Sequence, residues 1–387
     1  MKVLIANDSF KGSLTASQVA HAVAEALHEL CPTCKATILP IADGGEGLTD
    51  VLMRTKIRNK RACTVLDPLQ RPILSHYNIS TDKQTAIIEM AAASGLPLVE
   101  QAKRNPLYTS SYGTGQLIAD ALSQGCRNIL IGIGGSATND AGVGMLQALG
   151  FQFYHKGELL PTMTGASLGL IDKVDSSGKH PRLEKVLFTV ACDVNNPFYG
   201  TNGAAFVYAP QKGADAETVK LLDKHLRNFA KLIHQDFGQD IQLLPGAGAA
   251  GGMGAALSVF LHAKLKKGID IVLDSLCFDE HIKEADLVIT GEGRMDKQTL
   301  MGKAPFGVLL RAKRRGIPCI ALAGRVEDKE ILLQAGFENL IEVSPRTLPL
   351  SEAMKTDIAL ENIKQAIKAS HLPDYGCKSL YRFFPLT

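Results

Sequence analysis

Glycines cluster with acidic, hydroxyl and basic residues at several points in this 387-residue chain, and those clusters are where chemistry is expected. The first is Gly132-Ile-Gly-Gly-Ser-Ala-Thr-Asn-Asp140, after the apolar run Asn128–Ile131 and before a predicted helix over 140–149. Glycine lets backbone N–H groups approach a phosphate, and a following helix N-terminus adds a favourable dipole. Gly134, Gly135, Ser136 and Thr138 are therefore expected to bind phosphate, with Asn139 and Asp140 capping the helix or holding a metal. A tight turn with Asn139 as N-cap is the plainer alternative. The second cluster, Gly246 to Gly254, contains a formal G-x-G-x-x-G with Asp270 nineteen residues past its last glycine, a spacing that suggests a dinucleotide fingerprint. Pro245 directly before it is a poor context, so Gly248 and Gly251 are read as phosphate-cradling or packing residues.

Two acidic loops follow predicted strands: Ala42-Asp-Gly-Gly-Glu-Gly47 and Thr290-Gly-Glu-Gly-Arg-Met-Asp296. Carboxylates beside phosphate-binding loops suggest Mg2+, which takes one or two protein oxygens and completes its shell with substrate phosphates and water. Asp43, Glu46 and Glu292 are the metal candidates, with helix capping by Asp43 or Glu292 as the alternative. Asp193 closes an apolar run and is the candidate general base, while Lys11 and Asp296 complete the catalytic set. An anionic substrate needs cations and polar partners, for which Arg71, Arg294, Asn195 and Ser9 are candidates; Lys212, in Pro210-Gln-Lys-Gly-Ala214, is assigned to phosphate. No G-x-x-x-x-G-K-[ST] occurs, because Gly302-Lys303 is followed by Ala304. Gly165-Ala-Ser-Leu-Gly169 matches a nucleophile elbow in letters only, since no strand precedes it.

These clusters need elements to position them. Short apolar runs at Val3–Ala6, Ile38–Pro40, Ile87–Met90, Ile129–Ile133, Val186–Cys192, Ile269–Leu273, Leu287–Thr290 and Pro318–Leu322 read as buried strands. Helical patterns over Ser17–Leu30, Tyr112–Ser123, Asp140–Leu149, Ala216–Ile233 and Pro305–Arg314 alternate with them. Alternation of this kind predicts an α/β protein with parallel sheets. The first sixty residues offer two strands, too few for a stable sheet. A discontinuous domain built from both chain ends, 1–64 and 265–387, solves this, with an inserted α/β domain over 65–264.

The net charge of 42 − 39 = +3 is too weak to imply nucleic acid or a membrane surface. The longest uncharged stretch, Leu243–Leu261, holds five glycines and a proline and reads as a loop plus a short helix. Eight irregularly spaced cysteines imply no disulfide framework, so reduced thiols and a cytoplasmic protein are expected, with Cys31-Pro-Thr-Cys34 as a loop after the first helix. A non-catalytic metabolite sensor is a weaker reading, opposed by the density of acidic loops.

The clusters above, with Asp8-Ser-Phe-Lys-Gly-Ser13, Glu89 to Gly95, Thr109 to Gly115 and Cys192 to Pro197, occur in order along the chain and together resemble the type I glycerate kinases. The resemblance implies transfer of the ATP γ-phosphoryl group to D-glycerate with Mg2+, giving 2-phosphoglycerate, with 3-phosphoglycerate as the alternative product. It implies a flavodoxin-like domain carrying an inserted α/β domain, with the active site in the cleft between them. Small-molecule partners only are implied, in a monomer or homodimer. Asn7 stands where the family usually has Pro, and Asp67-Pro-Leu-Gln70 where it often has a Gly-Pro-Leu-Gly turn. Apart from ATP, an NAD-dependent hydroxy-acid oxidoreductase, resting on Gly246 to Gly251, is the rival of a different class.

Overall fold

Val3, Leu4 and Ile5 are all buried in β1 (Lys2–Ile5), the pattern of a central strand covered on both faces. The computed structural model describes residues 1–42 and 59–370, so Asp43 and Glu46 lie outside the described residues. β2 (Lys35–Ile38) pairs parallel with β1 and carries mostly exposed residues, as an edge strand does. Between them the helix Ala16–Leu30 buries Val19, Ala20, Val23, Ala26 and Leu27, and Thr15 caps it reciprocally with Gln18. The turn after this helix brings Cys31 and Cys34 to a Cα–Cα distance of 5.4 Å, and the two are disulfide-bonded. Free thiols were expected there; local turn geometry, which composition does not report, decides otherwise.

The chain then enters a second compact unit, residues 59–267. Its main sheet has the order β11-β10-β6-β5-β4-β3. β3 (Asn59–Leu66), β4 (Pro72–Ile79) and β5 (Thr85–Glu89) are antiparallel neighbours. β6 (Asn128–Gly132) continues from β5 in parallel. β7 (Gln152–His155), β8 (Glu158–Leu159) and β9 (Lys173–Asp175) form a separate small antiparallel sheet. β10 (Leu187–Ala191) and β11 (Lys264–Lys266) complete the parallel part of the main sheet. The expected domain limits at 64/65 and 264/265 fall inside β3 and β11, both of which pair within this unit.

The remaining residues, 268–370, cluster with residues 1–42. Ile269–Leu273, expected as a strand, lies in the helix Gly268–Ser275. Four apolar residues in a five-residue segment do not distinguish the two periods. The helix places Asp270 and Asp274 on one side, where both pair with Arg311 at 3.2 and 2.8 Å. β12 (Leu287–Met295), β13 (Cys319–Val326) and β14 (Asn339–Glu342) add to β1 and β2, giving the parallel order β14-β13-β12-β1-β2. Numbered within the unit this is 2-1-3-4-5, a doubly wound order whose switch point lies beside β1 and β12. β12 runs past its expected end at Thr290 and stays in register with β13 as far as Met295↔Val326. Gly291 permits this: a Cβ there would meet the Leu322 carbonyl oxygen at 1.9 Å. Thus Gly-Glu-Gly-Arg, expected as a loop, is strand. The expected α/β class with parallel sheets is observed. No helix among the described residues is long and apolar enough to cross a membrane.

Candidate active site

In the unit of residues 1–42 and 268–370, a pocket of about 530 Å3 opens at the carboxyl ends of β1, β12, β13 and β14. Ligands of doubly wound sheets bind at this edge, beside the switch point. Asp8 and Ser9 follow β1, and Lys11 and Ser13 follow them in the turn leading to the first helix. β12 supplies Glu292 and Arg294, β13 supplies Arg325, and Lys303 stands immediately before the helix Ala304–Arg314. Four of the residues singled out in the sequence, Ser9, Lys11, Glu292 and Arg294, are thereby brought together.

Three carboxylates, Asp8, Glu292 and Glu327, sit among these cations, and Glu327 is paired with Arg294 at 2.7 Å. Asp8 is buried and accepts a hydrogen bond from the Ser9 N–H at 2.6 Å. Glu292 accepts from the Thr299 hydroxyl at 2.8 Å and lies 3.5 Å from Lys303 Nζ. Burial pushes the Glu292 carboxyl up; Thr299 and Lys303 oppose this, and the Asp8 carboxylate adds to it. No group of three or more metal-ligating side chains forms among the described residues. A pair of hard oxygen donors facing a ligand pocket is nevertheless what Mg2+ takes from a protein when phosphates complete its shell, so Asp8 and Glu292 fit that ion. Asp296 is occupied differently. It caps the turn Lys297–Met301 by accepting from Gln298 N–H at 2.8 Å, and it lies 3.5 Å from Arg294. Capping therefore falls to Asp296 and not to Glu292.

The second assembly lies in the unit of residues 59–267. The loop after β6 runs to Gly142, and the helix behind it is only Val143–Ala148. The expected helix from 140 is thus shortened, and its dipole gives no argument for a phosphate. Ala141 and Gly142 adopt positive φ, which delays the helix. The N-cap position itself is Gly142, and the Asp140 carboxylate accepts from the Gly142 N–H at 3.1 Å. Fully buried, it accepts from the Ser111 N–H at 2.8 Å and the Ser111 hydroxyl at 2.7 Å, tying the loop to the helix Tyr112–Ser123. Burial pushes its carboxyl up while these bonds pull it down.

Lys212, only 2 % exposed, holds the loop from below. Its ammonium donates to Ser136 Oγ at 2.8 Å and to the Thr138 carbonyl at 2.6 Å. Burial lowers its pKa to about 7, and the Asp140 carboxylate pulls the other way. Beside these bonds, Thr138 Oγ1 and both amide atoms of Asn139 are buried with no hydrogen-bond partner. Unpaired buried polar groups are costly and rare, which makes this loop a candidate ligand contact.

Gly134 has open space over its Cα, whereas Gly135 has φ +70° and makes the turn. Gly134→Val should therefore leave the fold intact and abolish turnover if a ligand approaches the backbone there. Paired melting and steady-state rates check this; a normal melt with near-native rates would make the segment a turn.

Gly248 and Gly251 stand behind the loop as packing residues. A Cβ on Gly248 would strike the Pro197 carbonyl oxygen at 2.2 Å, and one on Gly251 the Thr138 carbonyl oxygen at 2.2 Å. No strand precedes Gly246, and Asp270 is bound to Arg311, so both elements the dinucleotide fingerprint needs are missing. Asp193 and Asn195 are exposed just beyond β10, whereas the neighbouring Asn196 is engaged with Tyr208 and Asn202. Arg71 clamps the β3–β4 hairpin, its Nε donating to Asp67 at 2.7 Å. Asp8, Lys303 and Arg325 were not selected from sequence. Asp8 carried a signal, standing directly after an apolar strand in a quoted motif; Arg325 follows a strand predicted to end at Leu322.

Comparison with known proteins identifies the family. The glycerate kinase of Halalkalibacterium halodurans is 45% identical over 354 residues, covering 91% of this chain and 93% of that one. The glycerate 2-kinase of Escherichia coli K12 is 45% identical over 367 residues, covering 95% and 96%. A crystal structure from Salmonella typhimurium LT2, described as a candidate glycerate kinase 2, superposes with a TM-score of 0.81 at 42% identity, covering 99% of this chain and all of that one. With the glycerate kinase family model matching residues 3–371, the chain belongs to the glycerate kinase family.

Proposed function

We propose that this protein transfers the γ-phosphoryl group of ATP to the 2-hydroxyl of D-glycerate, forming 2-phosphoglycerate, ADP and a proton. The observation that carries this reading is the pocket in which Asp8 and Glu292 stand among Lys11, Arg294, Lys303 and Arg325. Phosphoryl transfer asks a protein for positioning and charge neutralisation more than for covalent chemistry. Asp8 and Glu292 are the residues that would hold Mg2+, which when bound supplies charge neutralisation on phosphate oxygens. Lys11 and Lys303 serve as point charges for phosphates, and Arg294 and Arg325 have the planar fork that suits phosphate or carboxylate oxygens.

Ser136 and Thr138, held by Lys212, are assigned to the transferred group. Asn195, Ser9 and Arg71 remain substrate-contact candidates, Asp43 and Glu46 further metal candidates, and Asp296 supports Glu292 and Arg294 by fixing the turn after β12. The two units are then two domains, the middle one inserted into the other. A cytoplasmic monomer or homodimer acting on small molecules alone suits the composition. Incubation with ATP, Mg2+ and D-glycerate, read by 31P NMR, tests the reading and its regiochemistry. A 2-phosphoglycerate resonance is expected; 3-phosphoglycerate would move the transfer to the other hydroxyl, and absence of both would refute the activity.

Asp193 is assigned as the base that accepts the glycerate hydroxyl proton, a contribution of roughly 10²–10⁴-fold. Asp193→Asn should keep substrate affinities and lose kcat by about that factor. Retention of more than about a tenth of the wild-type kcat removes Asp193 from the role.

A further inference from the structure

The pocket beside β1 and β12 is far larger and less polar than a three-carbon acid requires. Its volume of about 530 Å3 lies among sites that enclose drug-sized ligands, a class that includes a nucleotide. Its charged lining comes from β1, β12 and β13, whereas Val343, Leu350, Ala353 and Met354 contribute an apolar lining from the chain beyond β14. Leu350 is 69% exposed, an apolar side chain this open at a pocket rim. Met354 reaches the turn after β1, its Cε 2.8 Å from where a Cβ on Gly12 would stand. Ser13 Oγ, in the same lining, is buried without a hydrogen-bond partner. A ligand with a flat apolar end, a hydroxylated middle and an anionic end matches this distribution.

We infer that this pocket is the nucleotide site, with the base of ATP or ADP against Leu350 and Met354 and the phosphates toward Asp8, Lys11, Lys303 and Glu292. The glycine-rich loop at 132–140, which the sequence pattern suggested for ATP phosphates or the transferred group, is then left for the acceptor or the transferred group. The inference rests on the kinase reading only in naming the nucleotide. Its geometry stands on the pocket alone.

Calorimetric titration of the full-length protein with Mg·ADP and, separately, Mg·pyrophosphate tests it without turnover. Leu350→Ser changes an exposed side chain and leaves the fold intact; Met354→Ser is the second variant. Each should weaken ADP by about tenfold, the effect of losing part of one large apolar contact, and leave pyrophosphate binding unchanged. Parallel loss of both ligands would mean that the wall only supports the loop, and loss of neither would place the base elsewhere; either overturns the inference. Abolition of ADP binding by Gly134→Val with no effect of Leu350→Ser would move the nucleotide to the 132–140 loop. If no phosphoglycerate forms but Leu350→Ser still weakens ADP selectively, the inference stands and the acceptor is wrong.

Discussion

Asp8→Asn should lower kcat on the order of 10²-fold at millimolar Mg2+ and raise the Mg2+ concentration needed for half-maximal rate. The side chain is buried at the end of β1, and its amide replacement keeps volume while losing the negative charge. A coupled effect separates this role from a general loss of structure. Asp8 helps to hold the Glu292 carboxyl above its usual range, so removing its charge lets Glu292 ionise at lower pH. In the metal-free protein the Glu292 titration should therefore move to lower pH in Asp8→Asn. NMR of the labelled carboxyl groups reads that shift, and steady-state rates against Mg2+ concentration read the other effect. An unchanged Mg2+ requirement with an unmoved titration would remove Asp8 from the metal site.

Lys212→Met is expected to damage both activity and stability. The substitution strips the Ser136 hydroxyl and the Thr138 carbonyl of a donor inside the protein, at a cost of about 2–4 kcal/mol. Loosening a site loop by an ångström lowers kcat/KM on the order of 10²-fold. The pH dependence gives a distinctive readout. The folded protein releases the Lys212 proton near pH 7, whereas the unfolded chain holds it to about 10.4. Between those values unfolding takes up a proton, so this lysine makes wild-type stability rise with pH. Lys212→Met should lack that rise, and the stability gap between the two proteins should widen from about pH 7 to about pH 10. Denaturant titrations at several pH values measure the gap; a constant one would mean that the lysine stays protonated throughout.

The α/β class was legible in the sequence because its parallel strands are covered on both faces and read as apolar runs, as Val3–Ala6 and Leu287–Thr290 do. The antiparallel strands β3 and β4 escaped because β3 is almost wholly exposed or half-buried and β4 mixes exposed with buried residues, a weak signal in a polar stretch. Ile269–Leu273 misled because a buried face on a short helix looks like a strand when only four residues are apolar. Site residues were legible where a strand end carried the motif, as with Ser9, Lys11 and Glu292. Arg325 and Lys303 were not, because a lone cation two or three residues past a strand or just before a helix resembles any surface residue. Arg71 shows a competing demand. Its type suits an anion, and the residue four positions before it is a carboxylate that already pairs with it.

The central position of β1 also sets the order in which this protein can be assembled. Ile5 pairs with Ile289, so the ribosome must add 289 − 5 = 284 residues before β1 meets that neighbour. At about 5–20 residues per second the wait is roughly 15–60 s. During it the nascent chain holds only β1 and β2 of this sheet, a pair too small to be stable alone; Val3 and Ile5 can pack on the first helix, while Leu4 and the β12 edge stay uncovered. The intervening segment meets its own partners earlier, since β3 through β11 pair only among themselves. Synthesis therefore favours a middle unit that is finished first, flanked by an apolar N-terminal strand that needs protection from aggregation until β12 arrives.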